Sequence, residues 1–254
     1  MLSLPRARLL SLLTTCSMFV SACGSGGLLG KEYEYEEEIR LDVDGSARMD
    51  LSSSVAALVA LRGFELDPTA ADVDRTRVRS MFEGPGVAVT SVRVSRRDGR
   101  RFVHVRLDVD DIRQLSRVTP FSWSSYQFSR RGEVLEYKQQ VGPAVAKAIG
   151  DVGWNGNEQV AFRMHIPSVI VFHNAPSKET KRGNILEWEQ PLVDRLKGLP
   201  VDVEVNMEPD SILYTTLLLF GSAIVLAAAL FGVVIWRVAR HGRDEIAPAR
   251  NSHA

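Results

Sequence analysis

The clearest pattern along the chain is alternation of apolar and polar residues. YEYEEEIRLDV sets Tyr33, Tyr35, Ile39, Leu41 and Val43 against mostly acidic neighbours, the period of two that marks a half-buried strand. Asp44-Gly45 then turns the chain into ARMDLSSSV, a hairpin signal. VAVTSVRVSRRDGRRFVHVRLDV reads as a second hairpin turning at Asp98-Gly99, and WSSYQFSRRGEVLEYKQQ as a third around Arg131-Gly132. Further strands are predicted near EQVAFRMHI, SVIVFHN, NILEWEQ and VDVEVNM. Two helices interrupt them: a short one around VAALVAL, and a longer one from Thr69 to Phe82, introduced by Asp67-Pro68 and closed by Gly84. Hairpins with a few helices between them predict an antiparallel α+β domain.

Two apolar runs flank this domain. At residues 211–236 the chain reads SILYTTLLLFGSAIVLAAALFGVVIW without a charge. At about 1.5 Å per residue it reaches roughly 39 Å, enough to cross a ~30 Å hydrocarbon core with some tilt. Glu208 and Asp210 precede it, Arg237, Arg240 and Arg243 follow it, and Tyr214 and Trp236 stand near its ends. That charge asymmetry predicts a transmembrane helix with its C-terminal side in the cytoplasm. The first run is different: Arg6 and Arg8, an apolar stretch from Leu9 to Val20, then Ser21-Ala22 before Cys23. This is the layout of a secretory signal, too short to span a membrane itself. Val20-Ser21-Ala22-Cys23 resembles the lipobox of bacterial lipoproteins, with valine where leucine is more usual. The resemblance implies cleavage before Cys23, a diacylglycerol on its thiol, and acylation of the new amine, palmitate being the implied chain. An ordinary secreted N-terminus with a chance cysteine is the plainer alternative.

The predicted organisation is therefore a signal over 1–22, a lipidated flexible tether over 23–31, an outer α+β domain over 32–210, the span over 211–236 and a basic cytoplasmic tail over 237–254. With Cys16 leaving in the signal and Cys23 blocked by lipid, the mature chain has no thiol for a disulfide, so the domain relies on its own core. The composition permits one, with 45% hydrophobic residues. About 180 residues suit one domain or two small lobes sharing a sheet. Two arginines lie in the signal, and four arginines, one aspartate and one glutamate in the tail; the remainder holds 25 basic and 29 acidic residues. That balance gives no electrostatic case for nucleic acid.

Candidate chemistry is sparse. There is no G-x-S-x-G, no phosphate-cradling glycine loop and no H-E-x-x-H, so neither an enzyme nor a cofactor is expected. His165 and His173 bracket a strand that Pro167 interrupts, and half-exposed strand histidines are expected there rather than a metal. LDVDG and LDVDD cluster carboxylates but lack the later ligands of a calcium loop; the first reads as a turn and the second as a helix start. Glu32, Glu34, Glu36, Glu37 and Glu38 read as the wet face of the first strand, protective if that strand is an edge. The basic turns carry more: Arg96, Arg97, Arg100 and Arg101 in one, Arg130 and Arg131 in the other. Guanidinium groups pair with phosphate, which makes these six the candidate contacts for anionic lipid head groups, although turns are commonly charged for solubility alone. In the span, Gly221, Ala228 and Gly232 place small residues on roughly one face, a surface on which a membrane protein partner would pack, although chance placement in an alanine-rich span accounts for them more simply.

The lipobox cysteine, DVDGSARMDLSSSV, the late FRMHIPSVIVFHN followed by GNILEWE, and the C-terminal span together resemble the LppM-type bacterial lipoproteins. The resemblance covers nearly the full chain in layout. It implies a mixed α/β outer domain without enzymatic residues that binds envelope lipids or glycolipids; the acidic first strand and the spacer before it depart from the pattern. The leading expectation is a non-enzymatic lipoprotein on the outer face of the cytoplasmic membrane, with acyl chains received between sheet and helices and head groups taken by the basic turns. A scaffold for envelope-assembly or transport machinery is the alternative.

Overall fold

The computed structural model describes residues 31–177 and 184–244. The predicted signal, Cys23 and the tether up to residue 30 lie outside the described residues, as does the tail beyond Asp244.

Among the described residues ten strands form two sheets. The six-stranded sheet has the order β3 (Val87–Arg97), β4 (Arg100–Val109), β2 (Ala47–Ser54), β1 (Glu32–Leu41), β7 (Glu158–His165), β9 (Ile185–Pro191). The four-stranded sheet has the order β5 (Ser124–Arg131), β6 (Val134–Val141), β10 (Val201–Ser211), β8 (Ser168–His173). The three predicted hairpins are β1–β2, β3–β4 and β5–β6, all antiparallel. The β1–β7 neighbours are the exception. Arg163 pairs with Glu36 and His165 with Glu38, so the partners advance together along both strands, the sense of a parallel pair.

β1 is thus central, between β2 and β7, and not an edge. Its inner face presents Tyr35, Glu37, Ile39 and Leu41, all buried, while Glu36 and Glu38 stay on the outer side. The expectation of one wet acidic face fails at two positions, because Glu34 and Glu37 are buried. The inner faces of the two sheets meet there: Gln139 of β6 donates to Glu37 at 3.4 Å, and the Tyr35 and Trp123 rings meet edge to face at 5.5 Å.

The helices are short. α1 (Val55–Arg62) starts where the Ser54 hydroxyl accepts the Ala57 N–H at 3.0 Å and stops at Gly63, whose φ of 70° suits glycine. Residues Val55 to Leu61 are all buried, so α1 is enclosed on every side. α2 runs only from Arg75 to Phe82, shorter than the predicted Thr69–Phe82. Asp74 is the reason: its carboxylate accepts the Thr76 and Arg77 amides and sets the first turn there. α3 (Leu192–Leu196) links β9 to β10, and α4 (Ile212–Asp244) continues from β10 past the predicted end of the span at residue 236.

Candidate functional site at the entry to the apolar helix

β10 enters α4 without a linker. Ser211 pairs with Ser168 of β8, and the Ile212 N–H donates to the Pro167 carbonyl at 3.0 Å. Within α4, Thr216–Arg237 is long and apolar enough to cross a membrane, and none of it is buried against the domain. A core helix of a soluble domain would be covered; this one is bare.

Two groups of side chains stand at this end. The β5–β6 turn carries the first. Leu135 opposes Met207, so the turn reaches the level of the last residues of β10. Arg130 donates to its own turn at the Gly132 carbonyl (3.1 Å), and Arg131 pairs with Glu136 at 2.8 Å while remaining 68% exposed. The second group is β8, the last strand in its sheet. The register slips between Asn206 and Met207, which face Phe172 and Ile170. The extra residue leaves Val169, Val171 and Phe172 all exposed, at 48%, 58% and 47%.

The other basic turn lies elsewhere. Between β3 and β4 it closes on the beginning of β1: Arg97 donates to the Tyr33 carbonyl and covers the Phe102 ring at 4.1 Å. The opposite end of β1 leads to Gly45, whose Cα is so near Phe128 of β5 that an added Cβ would meet the ring at 3.0 Å. Phe128 lies three residues before Arg131. The two basic turns therefore sit at opposite ends of the domain. Arg96 is exposed and Arg101 half-exposed, but Arg100 is a correction to the head-group set. It is 8% exposed and spent internally: its Nη2 lies 2.9 Å from Glu34 Oε1, its Nε donates to the same oxygen at 3.1 Å, and its Nη1 donates to the Gly153 carbonyl at 3.1 Å. Trp154 Nε1 donates to the other Glu34 oxygen at 3.1 Å. A guanidinium held this way has no face to offer a lipid.

The remaining polar candidates are used locally. His165 bonds Glu38 at 2.8 Å on β7, whereas His173 ends β8 in the other sheet, so Pro167 does separate them. Asp44 accepts the Ser46 N–H and hydroxyl, and Asp111 caps a 3₁₀ turn over Ile112–Arg117. Among the described residues no three His, Cys, Asp or Glu side chains gather as a metal group. Glu37 is the least expected polar residue. It is 1% exposed, receives the Tyr35 hydroxyl and the Gln139 amide, and burial raises its pKa above the ordinary carboxylate value. Burial likewise pushes Tyr35, Tyr126 and Tyr137 well above the usual phenol value. Sealed from solvent, this layer ties the sheets together. Strand alternation holds the clue to it, since position 37 shares parity with Tyr35 and Ile39; nothing local marks Glu34 or Arg100.

Between sheet and helices, where acyl chains are expected, the apolar side chains are turned away from solvent. Leu58, Leu61, Val103 and Leu107 there are fully buried.

These features define an α+β protein of two sheets joined directly to one exposed apolar helix. No protein-family model matches the sequence, and no curated protein matches it. Among solved structures the chain is similar to the folded domain of Mycobacterium tuberculosis LppM, determined by NMR, at 13% identity and a TM-score of 0.39, covering 75% of this chain and 99% of that one. A likeness this loose carries no functional argument.

Proposed function

We propose that this chain is a non-enzymatic lipoprotein of the bacterial envelope, lipidated at Cys23 and held at the outer face of the cytoplasmic membrane, where its domain binds lipid or glycolipid by the head group. The observation that carries this reading is that β6, whose turn from β5 carries Arg130 and Arg131, pairs along β10, the strand that enters α4. Guanidinium groups at this end of the sheet are suited to pair with head-group phosphate. Acyl chains stay in the bilayer, in keeping with the packed interior. Arg237, Arg240 and Arg243 after the span, with Glu208 and Asp210 before it, support a cytoplasmic C-terminus.

The test is mass spectrometry of lipids retained by the full chain purified from its own membranes. A selective, stoichiometric lipid is expected, with retention cut several-fold in the double variant Arg130→Gln, Arg131→Gln. Unchanged retention in that variant would remove the head-group role of the turn. A wild-type chain that carries no selective lipid would remove lipid binding itself and bring the protein-scaffold alternative forward.

A further inference from the structure

The geometry points to a second bilayer contact: we infer that β8 lies in the head-group layer, so that the domain leans on this edge of its four-stranded sheet. The inference rests on the reading of α4 as a membrane span.

Exposed apolar residues are unevenly placed. Among the described residues before Thr216, the large ones are Val145, Val169, Val171, Phe172, Val193, Leu199 and Ile212. Four of these seven, Val169, Val171, Phe172 and Ile212, sit on β8 or at the first residue of α4. Scattered single residues need no explanation, but a run on an edge strand does. Edge strands are ordinarily guarded by charges or proline; β8 carries neither between Ser168 and Phe172, and among the described residues no strand pairs with its outer side.

Its height above the membrane follows from the pairing. Ser168 faces Ser211, and Ile212 is bonded to Pro167. Ile212 precedes Thr216 by four residues, about 6 Å along a helix. The head-group region on each side of a bilayer is roughly 5–8 Å deep. β8 thus begins inside that layer. An upright strand would carry Phe172 about 13 Å farther out, beyond the lipid, with its apolar ring in water. Leaning brings the whole strand down.

Charge sets the direction of the lean. The centre of the same sheet face is polar and internally paired: Lys138 lies 3.1 Å from both Glu136 and Glu204, and Glu136 also takes Arg131. Such groups are costly to take from water. The β8 margin alone is apolar, so contact runs along it and not across the full face.

The experiment places a single reporter on the full chain in vesicles of equal parts phosphatidylcholine and phosphatidylglycerol, using Val171→Cys labelled with a polarity-sensitive fluorophore. Phe220→Cys, within the span, serves as the bilayer reference and Gln127→Cys, exposed on β5, as the water reference; the unmutated chain is the labelling blank. Quenching is read with a lipid bearing a nitroxide near its head group. Val171 is expected to be quenched roughly fivefold more than Gln127 and to approach Phe220, as for a group seated at the interface. Quenching at the level of Gln127, with Phe220 quenched, overturns the inference and leaves the span intact. A blue-shifted but unquenched Val171 overturns it too, because protein then covers β8. An unquenched Phe220 overturns the span reading and this inference with it.

Discussion

The β3–β4 and β5–β6 turns both close hairpins with paired arginines, and they differ in what awaits those arginines inside. At the first, Glu34 is fully buried at the start of β1, two strands from β4, and draws Arg100 inward, with Trp154 and the Gly153 carbonyl completing the shell. At the second, Arg131 pairs with Glu136, which is 11% exposed and already shares Lys138, and Arg131 stays in water at 68% exposure. Turn sequence does not decide the fate of an arginine; a buried counter-charge does. The same contrast holds between the two buried glutamates. Glu34 has a guanidinium against it, whereas Glu37 is held by a hydroxyl and an amide.

The largest effect expected from this comparison is that of Arg100→Ala. Removing one partner of a buried pair leaves the other charge stranded, at a cost of about 3–5 kcal/mol. Denaturant unfolding of the full chain in detergent measures it, and a loss no greater than that of a surface arginine would show Glu34 to be satisfied without Arg100.

Next comes a pH dependence carried by Glu37. Burial raises the pKa of Glu37 in the folded state, so the folded chain binds its proton more tightly than the unfolded chain. This contribution to stability is fully present below the ordinary carboxylate value and is lost as pH rises through the raised folded value. Glu37→Gln keeps a neutral group in place and is expected to flatten stability across that window. A slope identical to that of the wild type would assign the dependence to another residue.

The smallest effect is that of Arg131→Ala, expected within about 0.5 kcal/mol because exposed pairs contribute little. Its unfolding midpoint should match that of the wild type. A large drop would mean that this turn, too, is part of the core.

Much of the fold was legible from local pattern. Alternation located the ten strands, and Asp-Gly or Arg-Gly pairs located the hairpin turns, because both signals operate within a few residues. Partnership between distant strands was not legible. Arg163 and Glu36 are 127 residues apart, and without that pairing β1 passes for an edge strand. The early helix was over-extended because Asp67-Pro68 and Asp74 both resemble starts, and only the second accepts the amides of a helix. The candidate site is half legible: the sequence marks Arg130 and Arg131, but their place at the same end of the sheet as Val169, Val171 and Phe172 depends on how β10 sits between β6 and β8.

That place of β10 has a consequence for synthesis. In chain order it is the tenth strand, and in space it stands between β6 and β8. The hairpin β5–β6 and the strand β8 therefore share no hydrogen-bonded neighbour until β10 arrives, and β10 is the final piece of the domain to be translated before α4. The six-stranded sheet is complete once β9 has emerged, so vectorial folding can finish one sheet early and must leave the other open. The second sheet closes only as the apolar helix that follows β10 is about to emerge. On the proposed reading of α4 as a membrane span, completion of the domain and arrest of its translocation would fall at the same moment, timed by a single strand.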